Sequence, residues 1–206
     1  MDKRMGMIAS LVNVCAVAAF ALCLLLGFTF GCYLASMFIA LSFVPMMGAF
    51  AAKGASHVRA VGNTAMLFAG MYAAVILVVY FTQLTTVRLE SLDGQATSLL
   101  DYSTFGLFFN LDMLGYCLMS LATFFAGLTI GARSKADKAL KYLLMIHGVF
   151  AIGCLLMPML GAFNSTTQGA NWIGTALLCF WSLYFIPIGI LAFWHFRKPT
   201  SLEVND

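Results

Sequence analysis

The sequence is short of charge. Only 9% of its 206 residues are Asp, Glu, Lys or Arg, against about 25% in an average soluble chain. With 62% hydrophobic residues, a folded chain of this length would leave apolar surface facing outward, so lipid rather than water is the expected solvent. The net charge of +3 is small and dispersed, which excludes a nucleic-acid-binding surface. The length suits one domain.

Motifs are scarce as well. The six cysteines, Cys15, Cys23, Cys32, Cys117, Cys154 and Cys179, all fall in apolar stretches, with no C-x-x-C and no zinc-like Cys/His spacing. They read as small buried hydrophobes. There is no G-x-S-x-G, no H-E-x-x-H and no P-loop. Haem held from both sides would need two histidines at one depth, and His147 and His195 do not share one. No cofactor is expected.

Long apolar runs are what the chain does have. About 20 helical residues span a bilayer core of roughly 30 Å, and six stretches qualify: 7–27, 30–52, 61–84, 104–132, 142–163 and 172–196. The short alternating segments of an outer-membrane barrel are missing. Lys3 and Arg4 ahead of an apolar run resemble a signal peptide, but the run from Met7 to Phe28 is long and no A-x-A site follows. It reads as a retained span. The expected fold is an all-α integral membrane protein, a single bundle of six transmembrane helices.

The connections divide by charge. Lys3, Arg4, Lys53, Arg59, Arg133, Lys135, Lys138, Lys141, Arg197 and Lys198 fall on one side, ten of the eleven basic residues, and Arg88 alone on the other. The positive-inside rule then puts both termini in the cytoplasm, in a bacterial cytoplasmic membrane. Trp172 and Trp194 mark opposite ends of the sixth span, where aromatic belts form. The turn near Gly27 to Gly31 is tight. The outer loop 85–103 is long enough to carry structure of its own, such as a short amphipathic surface helix, because Val87, Leu89, Leu92, Leu99 and Leu100 interleave with Arg88, Glu90 and Asp93. Asn164-Ser165-Thr166 matches a glycosylation sequon in another outer turn.

The chain also echoes itself. Pro45-Met46-Met47-Gly48-Ala49-Phe50 in the second span matches Pro158-Met159-Leu160-Gly161-Ala162-Phe163 in the fifth at five of six positions. Two three-helix halves of opposite orientation would make a 3+3 inverted repeat, an arrangement common in secondary transporters. Pro45, Pro158 and Pro187 are expected to kink their helices and free backbone carbonyls. Abundant Met, Gly, Ala and Phe also make such matches by chance, and the first and fourth spans show no counterpart.

Polar residues inside the spans carry the functional expectations. Asp112 lies about 12 Å from the outer end of the fourth span at 1.5 Å per residue. An acid there costs about 2.5–3.5 kcal/mol on insertion scales, so it should face the interior with a partner. Asn110, Tyr80, Gln83, Asn164 and Asn171 lie at similar depth, and Arg88 could reach in from the loop. Together they suggest a substrate or ion site, with an interhelical tie as the plainer reading. His147 falls roughly 20 Å from the depth of Asp112 by the same rise, too far for a direct pair. Ser10, Asn13, Asn63 and Thr64 read as interhelical hydrogen bonders, while Ala65, Ala69 and Ala73, and Gly127 with Gly131, read as close-packing faces.

These features favour a transporter of a small solute or ion, or a membrane-embedded ligand-binding component of one. The alternatives are a non-catalytic accessory or scaffolding subunit and an embedded enzyme acting on lipid or quinone. The expected partners are the lipid bilayer, an unknown small solute or ion, and a second copy or a partner membrane subunit, but no nucleic acid.

Overall fold

The computed structural model describes residues 2–132, 134–163 and 171–198, without the side chains of 171–173. Eight α-helices order the chain: α1 (Asp2–Leu25), α2 (Thr29–Lys53), α3 (Arg59–Thr82), α4 (Gly94–Leu100), α5 (Leu107–Thr129), α6 (Lys135–His147), α7 (Phe150–Met159) and α8 (Asn171–Arg197). No strand occurs among the described residues. Six segments are long and apolar enough to cross a membrane: α1, α2, α3 with its flanking turns, α5, α6 together with α7, and α8.

The large apolar side chains on the outside need a non-aqueous solvent. Leu22 is 59% exposed, Leu67 65% and Leu183 72%, and a water-soluble monomer does not present such residues all round. Inside, Phe43, Tyr72, Phe185, Met46, Met47 and Met119 are fully buried. These three methionines fill core, whereas Met5, Met66, Met71, Met157 and Met159 are exposed.

Helix ends follow local chemistry. At Gly27 (φ +66°) the N–H groups of Phe28 and Gly27 reach back to the carbonyls of Cys23 and Leu24, at 2.8 and 3.2 Å. At Gly161 (φ +68°) Ala162 and Gly161 do the same to Met157 and Pro158, each at 3.0 Å. Both are Schellman ends, which place glycine in the left-handed region. The fifth span starts at Lys135 rather than 142 because Ser134 caps it, accepting from the Asp137 N–H at 3.2 Å while donating to its carboxylate. That span is interrupted where α6 passes into α7, through three-residue backbone bonds around Gly148 and Val149. The fourth begins at Leu107 rather than 104, since Phe105 is left-handed (φ 57°). It ends at Thr129 rather than 132.

The long 85–103 connection is built, not loose. A π-turn (Gln83–Val87) prolongs α3. Asp93 then caps α4, accepting from Ala96 N–H at 2.7 Å, and Asp101 caps a 3-10 turn over Tyr102–Thr104. The connection thus carries a short helix, α4, which holds Leu99 and Leu100 of the expected amphipathic set.

Small residues set the close crossings. Ala65, Ala69 and Ala73 are buried on α3. A Cβ on Gly127 would lie 2.9 Å from Met145 and 3.0 Å from the Lys141 carbonyl. Gly131 corrects the expected pair: it lies beyond α5 and a Cβ there would meet nothing within 4 Å. Of the four expected interhelical bonders only Asn13 is one, donating to Ile39 O at 3.2 Å and Ser42 Oγ at 3.0 Å. Ser10 and Thr64 bond carbonyls one turn back in their own helices, and Asn63 is exposed.

α5 packs on α2, α3, α6 and α7, while α8 packs on α1 and α6. The chain's two described ends meet at one end of the bundle. There Asp137 accepts from Lys198 Nζ at 2.9 Å and pairs with His195 Nδ1 at 2.9 Å, while Lys53 donates to the His195 carbonyl. The opposite end holds the α1–α2 turn and the 83–106 connection, and is called the hairpin end below. Trp194 lies at the terminal end, half exposed and covered by Arg197, whose guanidinium sits 5.2 Å from its ring. Arg133, the Asn164-Ser165-Thr166 triplet and the side chains of Asn171 and Trp172 lie outside the described residues.

The two halves of the sequence echo differ in backbone. Pro45–Phe50 is helical throughout, whereas the Pro158–Phe163 stretch leaves its helix at Met159 and turns at Gly161.

Candidate functional site

The site starts from Gln83. This side chain, 3% exposed, sits in the π-turn after α3. Its Nε2 donates to Leu100 O at 2.7 Å and its Oε1 accepts from Tyr102 N–H at 3.0 Å. The residues between α4 and α5 are thereby fastened to α3. Gly106 permits the fold-back, because a Cβ there would fall 2.0 Å from the Ser98 carbonyl oxygen.

Fastened in this way, the Tyr102 ring enters the bundle. Its hydroxyl donates to Asp112 Oδ2 at 3.3 Å, long for an O–H···O bond. Tyr80 faces the same carboxyl from α3, and the Tyr116 hydroxyl lies beside those of Tyr80 and Ser36. Asp112 is 1% exposed and lies roughly 8 Å along α5 from its first residue, shallower than expected. Its Oδ1 has no hydrogen-bond partner among the described residues. A buried, unpaired carboxylate oxygen is costly. Burial, and next the nearby charge of Asp112, push the Tyr102 phenol well above its ordinary pKa, so it remains a donor across the neutral range.

Tyr33 of α2 completes an aromatic wall. Ring centroids of Tyr33, Tyr80 and Tyr102 lie 5.4, 6.1 and 6.2 Å apart. With Tyr116 they bound a cavity of about 180 Å³ whose other sides are Phe20, Leu24 and Leu178, with Gly27 and Thr29 near the α1–α2 turn. An adjoining cavity of about 220 Å³ shares Thr29 and Tyr33 and is edged by Gln83, Arg88 and Asp101.

The structure brings together Asp112, Tyr80 and Gln83 of the expected site residues. It does not bring in Asn110, Arg88, His147 or the three prolines, and Asn164 and the side chain of Asn171 lie outside the described residues. Asn110 is exposed, because two residues along a helix is a turn of about 200° away from Asp112. Arg88 donates to its own Leu84 carbonyl at 3.0 Å and sits over the Phe30 ring at 5.5 Å. Pro45, Pro158 and Pro187 line neither cavity.

His147 occupies a separate place, level with Thr123, roughly 16 Å along α5 from Asp112. It is 1% exposed. The Trp181 indole N–H donates to Nε2 at 3.0 Å, so Nε2 is an acceptor and the proton of the neutral ring sits on Nδ1. That N–H donates to Thr123 Oγ1 at 2.8 Å, and Thr123 in turn donates to the Ser120 carbonyl. Both ring nitrogens are occupied, which suits a packed histidine. Trp181 also touches Tyr116 edge-on at 5.9 Å, so packing is continuous from His147 to the tyrosine wall.

Tyr33, Tyr102 and Tyr116 were not expected here. Among the described residues no group of three or more His, Cys, Asp and Glu is placed to hold a metal ion. Comparison with protein families, with curated proteins and with solved structures gives no match.

Proposed function

We propose that this chain is an integral protein of a cell membrane, most simply the cytoplasmic membrane of a bacterium, that binds a small solute in the tyrosine-walled cavity beside Asp112. It would act as a transporter or as the ligand-binding component of one, with both termini in the cytoplasm and the cavity near the outer surface. One observation carries this reading: the deeply buried carboxyl of Asp112, behind the tyrosine wall of a cavity, has one oxygen with no hydrogen-bond partner among the described residues. Stability alone would favour an apolar residue at such a position. The volume of about 180 Å³ is below that of sites for drug-sized ligands, roughly 300–1,000 Å³, and suits a molecule of a few heavy atoms. The sequence echo adds nothing here, since its two copies differ in local backbone.

The test is a thermal-shift screen of the purified chain against small cationic, anionic, zwitterionic and neutral solutes, beside Asp112→Asn. A ligand at a hundred times its Kd stabilises by about 2.7 kcal/mol. A hit that vanishes in the variant is the expected result. Silence across all four classes would overturn the reading.

One observation favours an accessory subunit instead. α7 packs chiefly on α5, and its Ile152, Leu155, Leu156 and Met159 are exposed, as a helix awaiting a partner helix would be. A stoichiometric membrane partner retained through purification would support that alternative.

A further inference from the structure

Resting on the solute-binding reading, we infer that the solute is a small organic cation, with an ammonium group set against the faces of Tyr33, Tyr80 and Tyr102 and balanced by Asp112.

The cavity is asymmetric in charge. Among the described residues no Lys or Arg lines it, and Asp112 lies immediately behind its wall. A bound anion would face that carboxylate across a few ångströms of low-dielectric interior, where like charges repel strongly. A bound cation gains from the same field.

The wall itself is suited to a cation. Tyr33, Tyr80 and Tyr102, from three different elements, line the cavity together, and tyrosine rings carry negative quadrupole density that attracts ammonium groups. The Tyr102 hydroxyl proton is directed to Asp112. That donation makes the phenol a better partner for positive charge. The Oδ1 of Asp112, without a hydrogen-bond partner among the described residues, supplies the counter-charge.

Inorganic cations fit less well. Calcium and magnesium need six or more oxygen ligands, whereas this lining is chiefly aromatic and aliphatic. Size agrees with a small organic group. A dry cavity of about 150 Å³ holds one benzene, and this one measures about 180 Å³.

Arg88 is the cation nearest the approach, and it does not reverse the balance. It lines only the adjoining cavity, where Asp101 accompanies it, and its guanidinium lies over Phe30.

The experiment titrates the full chain in detergent with choline, with its uncharged isostere 3,3-dimethylbutan-1-ol and with the anion 3,3-dimethylbutanoate, by calorimetry. Choline should bind saturably, and both isosteres about tenfold more weakly or not at all. Asp112→Asn should lose the preference for choline. Tyr33→Leu, at a half-buried position that the fold tolerates more readily, should weaken choline severalfold and leave the neutral isostere unchanged, which keeps the test open should Asp112→Asn fail to fold. Equal or tighter binding of the neutral or anionic compound would overturn the cation assignment while leaving a solute site in place. Binding by none of the three, with a hit from another class in the wider screen, would also overturn it. Silence in both experiments would remove the solute site and the cation with it.

Discussion

Gln83 holds the wall without belonging to its aromatic surface. Its amide spends one donor and one acceptor on the backbone at Leu100 and Tyr102. Gln83→Leu keeps much of the volume but leaves those two backbone groups to find other partners. The expected loss of stability is about 1–3 kcal/mol, read in thermal denaturation. Ligand binding should weaken as well, because Tyr102 is then released from Asp112. A variant as stable as the parent, with unchanged binding, would show that the 100–102 segment is held by other contacts. The same logic separates His147 from the site. Both its ring nitrogens are engaged by Trp181 and Thr123, whereas Asp112 has an oxygen unengaged.

At the scale of elements, close packing between α5 and α6 depends on Gly127. A Cβ there would press on Met145 and on the Lys141 carbonyl, at 2.9 and 3.0 Å. Side chains can yield, but a carbonyl of a packed helix cannot move far. Gly127→Ala is expected to cost about 1–3 kcal/mol, the usual range for overpacking. Gly131→Ala should be neutral or mildly stabilising, since nothing lies within 4 Å and its φ is not positive. Equal effects in chemical denaturation would contradict this account of the crossing. The pair also shows what the sequence reveals. Spacing of four marks small-residue faces, yet it cannot say where a helix stops, and α5 stops at Thr129. Hydropathy located all six spans but began the fifth too late, because the polar first turns of α6 are governed by the Ser134 cap. Asp112 and Gln83 were legible as polar residues set in apolar runs. Depth alone sets Asn110 beside Asp112, whereas the angle around the helix turns it outward. Tyr33, Tyr102 and Tyr116 were missed because a tyrosine in an apolar segment looks like core or interface. What joins them is a fold-back between α4 and α5, made by Gln83 and Gly106, which no local pattern announces.

For the whole molecule, the two ends differ in kind. The terminal end gathers Lys53, Asp137, His195 and Lys198 into one polar clasp. The hairpin end carries the tyrosine cavity and a single basic residue, Arg88. Basic residues resist translocation, so the clasp should be cytoplasmic and the cavity should open toward the outside. Single cysteines placed at Ser56 and Ser98, in a chain whose own cysteines have been replaced, would test this in intact cells with a membrane-impermeant maleimide. Ser56 lies in the short turn between α2 and α3, and Ser98 on α4. Labelling is expected at Ser98→Cys and not at Ser56→Cys until the cells are opened. The opposite pattern would turn the bundle over. It would then also change the source of the solute, because a cavity beside the hairpin end would sample the cytoplasm, and an uptake or external-sensing role for Asp112 would give way to one in export or internal sensing.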